Sequence, residues 1–135
     1  MESIDQTLFE AADSVRKNAH APYSGFFVGA AILADDGNIY AGCNVENAAY
    51  PQGNCAEASA ISAMLAGGGR RIKRILTTGP GTIPVTPCGG CRQRIREFAD
   101  LDTPITCLGA DGGEPLNTTL AQLLPHSFGP EFLDK

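Results

Sequence analysis

The sequence DDGN at residues 35–38 separates two apolar segments and constrains the fold more than any other stretch of the chain. An Asp-Gly pair between apolar runs is a strong hairpin signal, because these residues adopt the backbone angles of a tight turn. Residues 26–34 (FFVGAAILA) predict a mostly buried strand, and residues 38–45 predict a second strand that returns antiparallel beside it. The core is therefore expected to form on a sheet that contains this hairpin.

Helical and strand patterns alternate along the rest of the chain. Ser3-Ile4-Asp5-Gln6 has the spacing of a capping box, and apolar residues then recur at helical spacing up to about Asn18. The other predicted elements are a helix over 55–66, a strand over 72–78, a helix over 88–99, a strand over 104–108 and a short helix over 118–124. This order predicts an α/β fold, a three-layer αβα sandwich with a mixed central sheet. We expect residues 1–135 to form a single domain.

Composition narrows the classes of partner. A net charge of −5 disfavours a nucleic-acid partner, since phosphate binding requires clustered Lys and Arg, and a small molecule is the better candidate. The apolar runs are too short to span a bilayer. An acidic N-terminus without the order of a secretory signal predicts a cytoplasmic location. Five cysteines in such a chain favour metal binding or catalysis over a disulfide framework.

Two short sequences carry the chemistry: Cys55-Ala56-Glu57 and Pro87-Cys88-Gly89-Gly90-Cys91, each at the start of a predicted helix. A Cys-x-x-Cys pair places both sulfurs on one side of a first helical turn, and Cys55 can supply a third ligand to a zinc ion. Three protein ligands leave one tetrahedral position open for water, which is typical of catalytic zinc sites. Glu57 is then the candidate base.

Three thiolates around one divalent cation leave a net negative charge, which needs compensation. Helix N-termini present free N–H groups and a partial positive charge, and they also lower thiol pKa values. Arg92 directly follows Cys91 in the sequence. We therefore predict that Arg92 donates to the thiolates.

Other interpretations of these residues stay open on spacing alone. An isolated Cys-x-x-Cys is equally typical of a redox pair or of half a structural zinc site, and a Glu in a first helical turn often only complements the helix dipole. A closed structural site would need a fourth ligand from Cys43, Cys107 or a histidine. Both cysteines lie on predicted strands, where a buried thiol usually only packs, and His20 and His126 lack metal-like spacing.

Taken together, the motifs resemble those of the small, homotetrameric zinc cytidine deaminases, along nearly the whole chain. The segments that carry the resemblance are APYSGF (21–26), VGAA (28–31), NVENAAYP (44–51), CAE (55–57), PCGGCRQ (87–93) and LLPHSFGP (123–130). The resemblance implies one zinc ion per subunit on Cys55, Cys88 and Cys91, with Glu57 transferring protons. It implies deamination of cytidine, and of 2′-deoxycytidine, to uridine and ammonia in pyrimidine salvage.

The same resemblance implies how a nucleoside would bind. It implies a homotetramer in which neighbouring subunits complete each pocket. The implied contacts are Asn44 and Glu46 on the ribose, Phe26 on the base, the Ala56 N–H on the pyrimidine carbonyl, and Ala48, Tyr50 and Phe128 from neighbouring subunits. On the residues alone, the polar groups around Asn44 suit either a turn or a ribose.

Two residues depart from the family pattern. Ala58 stands where many members have Arg directly after the catalytic Glu, so either the metal is more electron-rich or another arginine, such as Arg94, fills the space. Phe27 stands where Pro is common. Alternative substrates are a modified cytidine, an aminopyrimidine or a nucleoside antibiotic. A zinc-stabilised binding module and an editing deaminase on RNA or DNA are the other classes, the last disfavoured by the acidic charge.

Overall fold

The structure, a computed structural model, describes residues 1–133, which form five strands in one sheet, four α-helices and two short 3₁₀ helices. The strands are β1 (Gly29–Ala34), β2 (Ile39–Cys43), β3 (Ile72–Gly79), β4 (Pro104–Gly109) and β5 (Gly112–Thr119). The helices are α1 (Ser3–Arg16), α2 (Ala56–Ala66), α3 (Gly89–Phe98) and α4 (Leu120–Leu123), and the 3₁₀ helices are Tyr50–Gln52 and Pro130–Leu133. Within residues 1–133, no helix is long and apolar enough to cross a membrane.

The sheet is mixed, and its strands lie in the order β2-β1-β3-β4-β5. β1 pairs antiparallel with both β2 and β3, β3 and β4 run parallel, and β5 returns antiparallel to β4. The hairpin predicted from DDGN is confirmed, with Ala31 opposite Ala41 and Gly37 at a φ of 83° in the turn. Glycine tolerates that left-handed angle because it lacks a Cβ atom.

Alternating residues of the strands bury both faces of the sheet. Ala30 and Ile32 face α2 and α3 in the larger apolar core, whereas Ala31 packs against Leu8 and Ala12 of α1. This two-sided burial follows from the period of two along a strand. The predicted three-layer arrangement, with helices on both faces of a mixed sheet, is confirmed.

Close contact between the sheet and two helices depends on two strand glycines. A Cβ atom on Gly42 would lie 2.4 Å from the Ala60 backbone nitrogen of α2. A Cβ atom on Gly29 would lie 2.0 Å from the Ala12 carbonyl oxygen of α1. Only glycine permits this approach, which fixes how far α1 and α2 stand from the sheet.

Two features of the fold differ from the sequence predictions. The capping box predicted at Ser3 is wrong, because α1 begins at Ser3 itself with Glu2 as the N-cap residue and without a side-chain cap. A capping box forms instead between Thr119 and Gln122 at the start of α4. The strand β5 was not predicted, since its Gly and Pro residues and its exposure are typical of an edge strand and give little apolar signal.

Candidate metal centre and substrate pocket

The three cysteines proposed as metal ligands come together at the starts of two helices. Cys55 is the N-cap residue of α2, Cys88 is the N-cap residue of α3, and Cys91 lies in the first turn of α3. Their Sγ atoms all lie within 4.8 Å of one another. The two helices pack on the same face of the sheet, so residues far apart in sequence form one cluster.

The electrostatics of this cluster suit a bound cation. Burial raises the pKa of the Cys55 thiol, and burial together with nearby Glu57 raises the pKa of the Cys91 thiol. The backbone N–H of Cys91, by contrast, lowers the pKa of Cys88. Three thiols and a carboxylate at one place repel one another once ionised, and a divalent cation removes that repulsion.

The donor set fits zinc. Three sulfurs within this distance can bind one ion through zinc–sulfur bonds of about 2.3 Å with small side-chain adjustments. In residues 1–133 the groups that could hold a metal ion gather at Cys55, Cys88 and Cys91, whereas Cys43 and Cys107 lie apart on β2 and β4. Three ligands leave a coordination position for water, which argues against the closed site of a zinc-stabilised binding module.

The arginine that donates to this cluster is Arg94, which corrects the prediction for Arg92. The Arg94 Nη1 donates to the Cys91 Sγ at 3.4 Å. The Arg92 guanidinium donates instead to the carbonyl oxygens of Pro87 and Leu123, at 2.8 and 2.9 Å. Helical spacing explains the difference, because residues three apart share a helix face and adjacent residues do not.

Arg94 also lies beside the position where the family pattern has its arginine. Ala58 of α2 and Arg94 of α3 line the same surface groove between the two helices. Of the two explanations offered for Ala58, this geometry favours the one in which Arg94 fills the space. The positive charge then reaches the cysteines from α3 instead of α2.

Glu57 is a buried carboxyl group in the first turn of α2, with 5% of its surface exposed. Burial raises its pKa, and this is the property required of a carboxyl group that both takes up and releases a proton near neutral pH. Glu57 lines a cavity of about 170 Å³ together with Val28, Asn44, Cys55, Ala56, Val85, Thr86 and Cys88.

Sequence reasoning missed Val28, Val85 and Thr86 as cavity residues. Val28 lies in a segment predicted as strand, but β1 begins only at Gly29. Val85 and Thr86 belong to the irregular segment before α3, and the Val85 carbonyl accepts a hydrogen bond from the buried Thr77 hydroxyl at 2.6 Å. The Pro87-Cys88 motif that directly follows could have indicated these cavity residues, because residues next to a metal ligand in sequence lie close to the metal site.

Asn44 uses both ends of its side-chain amide to hold the loop before β1. Its Oδ1 accepts from the Val28 N–H at 2.9 Å, and its Nδ2 donates to the Phe26 carbonyl at 2.9 Å. Asn44 therefore fixes the backbone on either side of Phe27 and sets the direction of Phe26. The structure thus adds a positioning role to the ribose contact implied by the resemblance.

Glu46 holds the same loop nearer to its start. Its carboxylate accepts from the backbone N–H groups of Tyr23 and Ser24, at 3.0 and 3.1 Å, and from the Ser24 hydroxyl. The hydroxyl contributes most to lowering the pKa of Glu46. The loop of residues 21–28 is therefore held by Asn44 and Glu46 and carries the half-exposed ring of Phe26. Val28 and Asn44 line the cavity that contains Glu57, whereas Phe26 and Glu46 do not.

The residues expected to serve neighbouring subunits lie at the surface. Tyr50 is 75% exposed and packs edge-on against Tyr23 at a ring distance of 5.8 Å. Phe128 is 54% exposed and stacks on Phe132 at 4.9 Å. Ala48 is exposed in the loop before the Tyr50–Gln52 helix. None of the three lines the cavity that contains Glu57 in the described chain.

Helices on both faces of a mixed sheet, with three cysteines and a buried glutamate at two helix starts, define the class of zinc-dependent deaminases. Residues 2–107 match the family model described as the cytidine and deoxycytidylate deaminase zinc-binding region. The chain belongs to this family. The match, together with the cysteine cluster, identifies zinc as the metal.

Individual relatives align over nearly the full chain. A cytidine deaminase of Sporosarcina psychrophila is 42% identical over 128 residues, covering 95% of this chain and 93% of the relative. One from Halalkalibacterium halodurans is 40% identical over 126 residues, covering 93% and 95%. The crystal structure of a cytidine deaminase from Burkholderia pseudomallei superposes with a TM-score of 0.86 at 39% identity, covering 95% of this chain and all of that one.

Proposed function

We propose that the protein catalyses the zinc-dependent hydrolytic deamination of cytidine, and of 2′-deoxycytidine, to uridine or deoxyuridine and ammonia. The observation that carries the proposal is the cluster of Cys55, Cys88 and Cys91 with the buried carboxyl group of Glu57 in the same cavity. Relatives that align over nearly the full chain are named cytidine deaminases, which supports the choice of substrate.

Cys55, Cys88 and Cys91 would hold the metal. Zinc, when bound at three sulfurs, supplies a Lewis acid that lowers the pKa of water to near neutrality. Glu57 moves the protons of the reaction: its carboxylate accepts one from the water that attacks C4 and delivers it to N3 of the pyrimidine. It then takes the second proton of that water and passes it to the amino group, which leaves as ammonia. The raised pKa of Glu57 suits this cycle, because the residue must hold a proton in one half of it and release it in the other.

The cavity at Glu57 and the loop beside it support a nucleoside as the substrate. Phe26 offers an aromatic face to the base, and Asn44 holds that ring in position through the backbone. The N–H of Ala56 is in the first turn of α2, where such groups lack partners within the helix, so it can donate to the pyrimidine carbonyl. We assign the carboxylate of Glu46 and the amide of Asn44, which hold the loop of residues 21–28, to the ribose hydroxyls.

Sharing of each pocket between subunits of a homotetramer is part of the proposal. The cavity at Glu57 has a volume of about 170 Å³, below the roughly 300–1,000 Å³ of most ligand pockets. Exposed aromatic rings such as Tyr50 and Phe128 are costly on an isolated surface and typical of interfaces. We assign them, with Ala48, to the closure of a neighbouring pocket.

We also place the protein in the cytoplasm, as a single domain over residues 1–135 that returns nucleosides to use in pyrimidine salvage. Both apolar cores form on the two faces of one sheet, which supports one domain. The described residues contain no disulfide, and cysteines kept as thiols or metal ligands suit a reducing compartment.

The test is loss of cytidine absorbance on mixing with purified, zinc-loaded protein. Wild type should convert cytidine to uridine, and Glu57→Gln should lower kcat by about 10²–10⁴-fold at equal zinc content, because it removes the proton-transferring group. Glu97→Gln, an exposed glutamate on α3, is the matched control and should keep wild-type activity.

Failure of wild type to act on cytidine, with zinc bound and the tetramer formed, would refute the proposed substrate. A panel of modified cytidines, aminopyrimidines and nucleoside antibiotics would then test the alternative, in which Phe27 reshapes the pocket beside Phe26. Equal activity of Glu57→Gln and wild type would refute the role of Glu57.

A further inference from the structure

Residues 125–131, the C-terminal segment, are tied to α3 by two side chains three residues apart. The Gln93 Nε2 donates to the Phe128 carbonyl oxygen at 2.9 Å. The Arg96 Nε donates to the Ser127 hydroxyl at 2.8 Å, and its Nη2 pairs with the Glu131 carboxylate. Residues three apart lie on one face of a helix, so a single face of α3 receives the whole segment.

Arg96 is built into this contact and is not a surface arginine. Only 8% of its surface is exposed. The backbone of Gly129 lies against the guanidinium plane so closely that a Cβ atom there would be 2.3 Å from the Arg96 Cζ. Burying a guanidinium is unfavourable unless its donors are paired, so the partners Ser127 and Glu131 are needed to keep it in place.

Phe128 lies between the two residues that Arg96 contacts. Its neighbours Ser127 and Gly129 are bound to and packed on the guanidinium, whereas its own ring is half-exposed and stacks on Phe132. The direction of the ring is therefore set by the anchored backbone on either side. The same helix carries Cys88 and Cys91 at its start and holds the anchored segment near its end.

We infer that Arg96 is a positioning residue for substrate binding, which fixes the C-terminal segment so that Phe128 meets the nucleoside. The inference rests on the proposed function, in which Phe128 closes the pocket of a neighbouring subunit. Arg96 touches neither substrate nor metal in this role. Its contribution appears in nucleoside affinity, through an aromatic contact worth up to about tenfold in binding.

The test uses the full-length, zinc-loaded protein and two variants that release the segment from opposite sides. Arg96→Met keeps the aliphatic stem and removes the donors, and Gly129→Ala places a methyl group against the guanidinium. Arg71→Met is the matched control, because Arg71 borders the same surface cavity as Arg96 but pairs with Asp100. Backbone hydrogen exchange of residues 125–133, zinc content, kcat and KM for cytidine are measured for each.

Both variants should speed exchange in residues 125–133 and raise KM by up to about tenfold, with kcat within about twofold of wild type and zinc content unchanged. Arg71→Met should match wild type. If Arg96 acts through Phe128, adding Arg96→Met to Phe128→Ala should raise KM no further.

Wild-type exchange in both variants would overturn the inference, as would faster exchange with unchanged KM. KM increases that multiply in the double variant would also overturn it, because Arg96 would then act independently of Phe128. A wild-type protein that does not deaminate cytidine would refute the proposed function itself. An active wild type with variants of unchanged exchange would refute the role of Arg96 alone.

Discussion

The contact between Arg94 and Cys91 predicts that metal affinity depends on Arg94. Its Nη1 lies 3.4 Å from the Cys91 Sγ, and the side chain is otherwise exposed. Two unit charges at that distance interact by about 1 kcal/mol in water, and the exposure of Arg94 keeps the interaction near this limit although Cys91 is buried. Removal of the charge in Arg94→Met should therefore weaken zinc binding about fivefold. Added salt should shrink the difference, because it screens exposed charges.

Competition with a chromophoric chelator at fixed pH measures this change. Arg92→Met is the control, because Arg92 donates to the carbonyls of Pro87 and Leu123 and not to a cysteine. Its loss should lower the free energy of unfolding and leave zinc affinity unchanged. A fall in zinc affinity for Arg92→Met equal to or larger than that for Arg94→Met would refute the assignment.

A second variant tests whether the charge can return to α2. Ala58 and Arg94 line the same groove, so an arginine at position 58 has a path to the cysteines. Ala58→Arg in the Arg94→Met background should restore most of the lost zinc affinity. Restoration by Ala58→Gln, which adds length without charge, would show that the effect is steric and would contradict the electrostatic argument.

Two further predictions concern packing and pH. Gly42→Ala should lower the free energy of unfolding by about 1–3 kcal/mol in urea denaturation, because its Cβ meets α2 backbone, whereas Gly89→Ala, with open space, should not. The pKa of Glu46 is lowered chiefly by the Ser24 hydroxyl, so its stabilising effect is complete above the usual pKa of 4.5 and lost as pH falls through the lower folded value. Glu46→Gln should flatten that acid-side loss of stability, measured by denaturation across acid pH.

The sequence was sufficient wherever the signal was local. The DDGN hairpin, the helix starts at the cysteines and the strand of residues 72–78 each depend on neighbouring residues, and each is present in the structure. The helix starts and this strand lie within a residue of the prediction, and the first strand of the hairpin begins three residues later than predicted. Strand β5 was missed although Asp111-Gly112 repeats the turn signal used for Asp36-Gly37. Its strand residues are mostly exposed, so the turn lacked the second apolar run that makes a hairpin recognisable.

Contacts between distant segments were beyond local reasoning. The bonds of Asn44 to the backbone of Phe26 and Val28 join residues 16 to 18 positions apart, and nothing in either segment specifies the pairing. The same holds for Thr77 and the Val85 carbonyl, which place one wall of the Glu57 cavity. Such contacts depend on strand register and loop closure, which are determined by the complete fold and not by the residues of one segment.

Helical periodicity decides which arginine of α3 reaches the cysteines. Each residue turns the helix by about 100°, so Arg92 cannot share the face of Cys91, whereas Arg94, three residues on, does. The same spacing pairs Gln93 with Arg96 on the face that holds Phe128. The three arginines of this ten-residue helix therefore contact different partners: Arg94 a cysteine, Arg92 the carbonyl oxygens of Pro87 and Leu123, and Arg96 the C-terminal segment. Moving an arginine by one residue along α3 should therefore change the group that its charge contacts. The helix face on which an arginine lies, and not its closeness to a cysteine in sequence, decides whether it contacts the thiols.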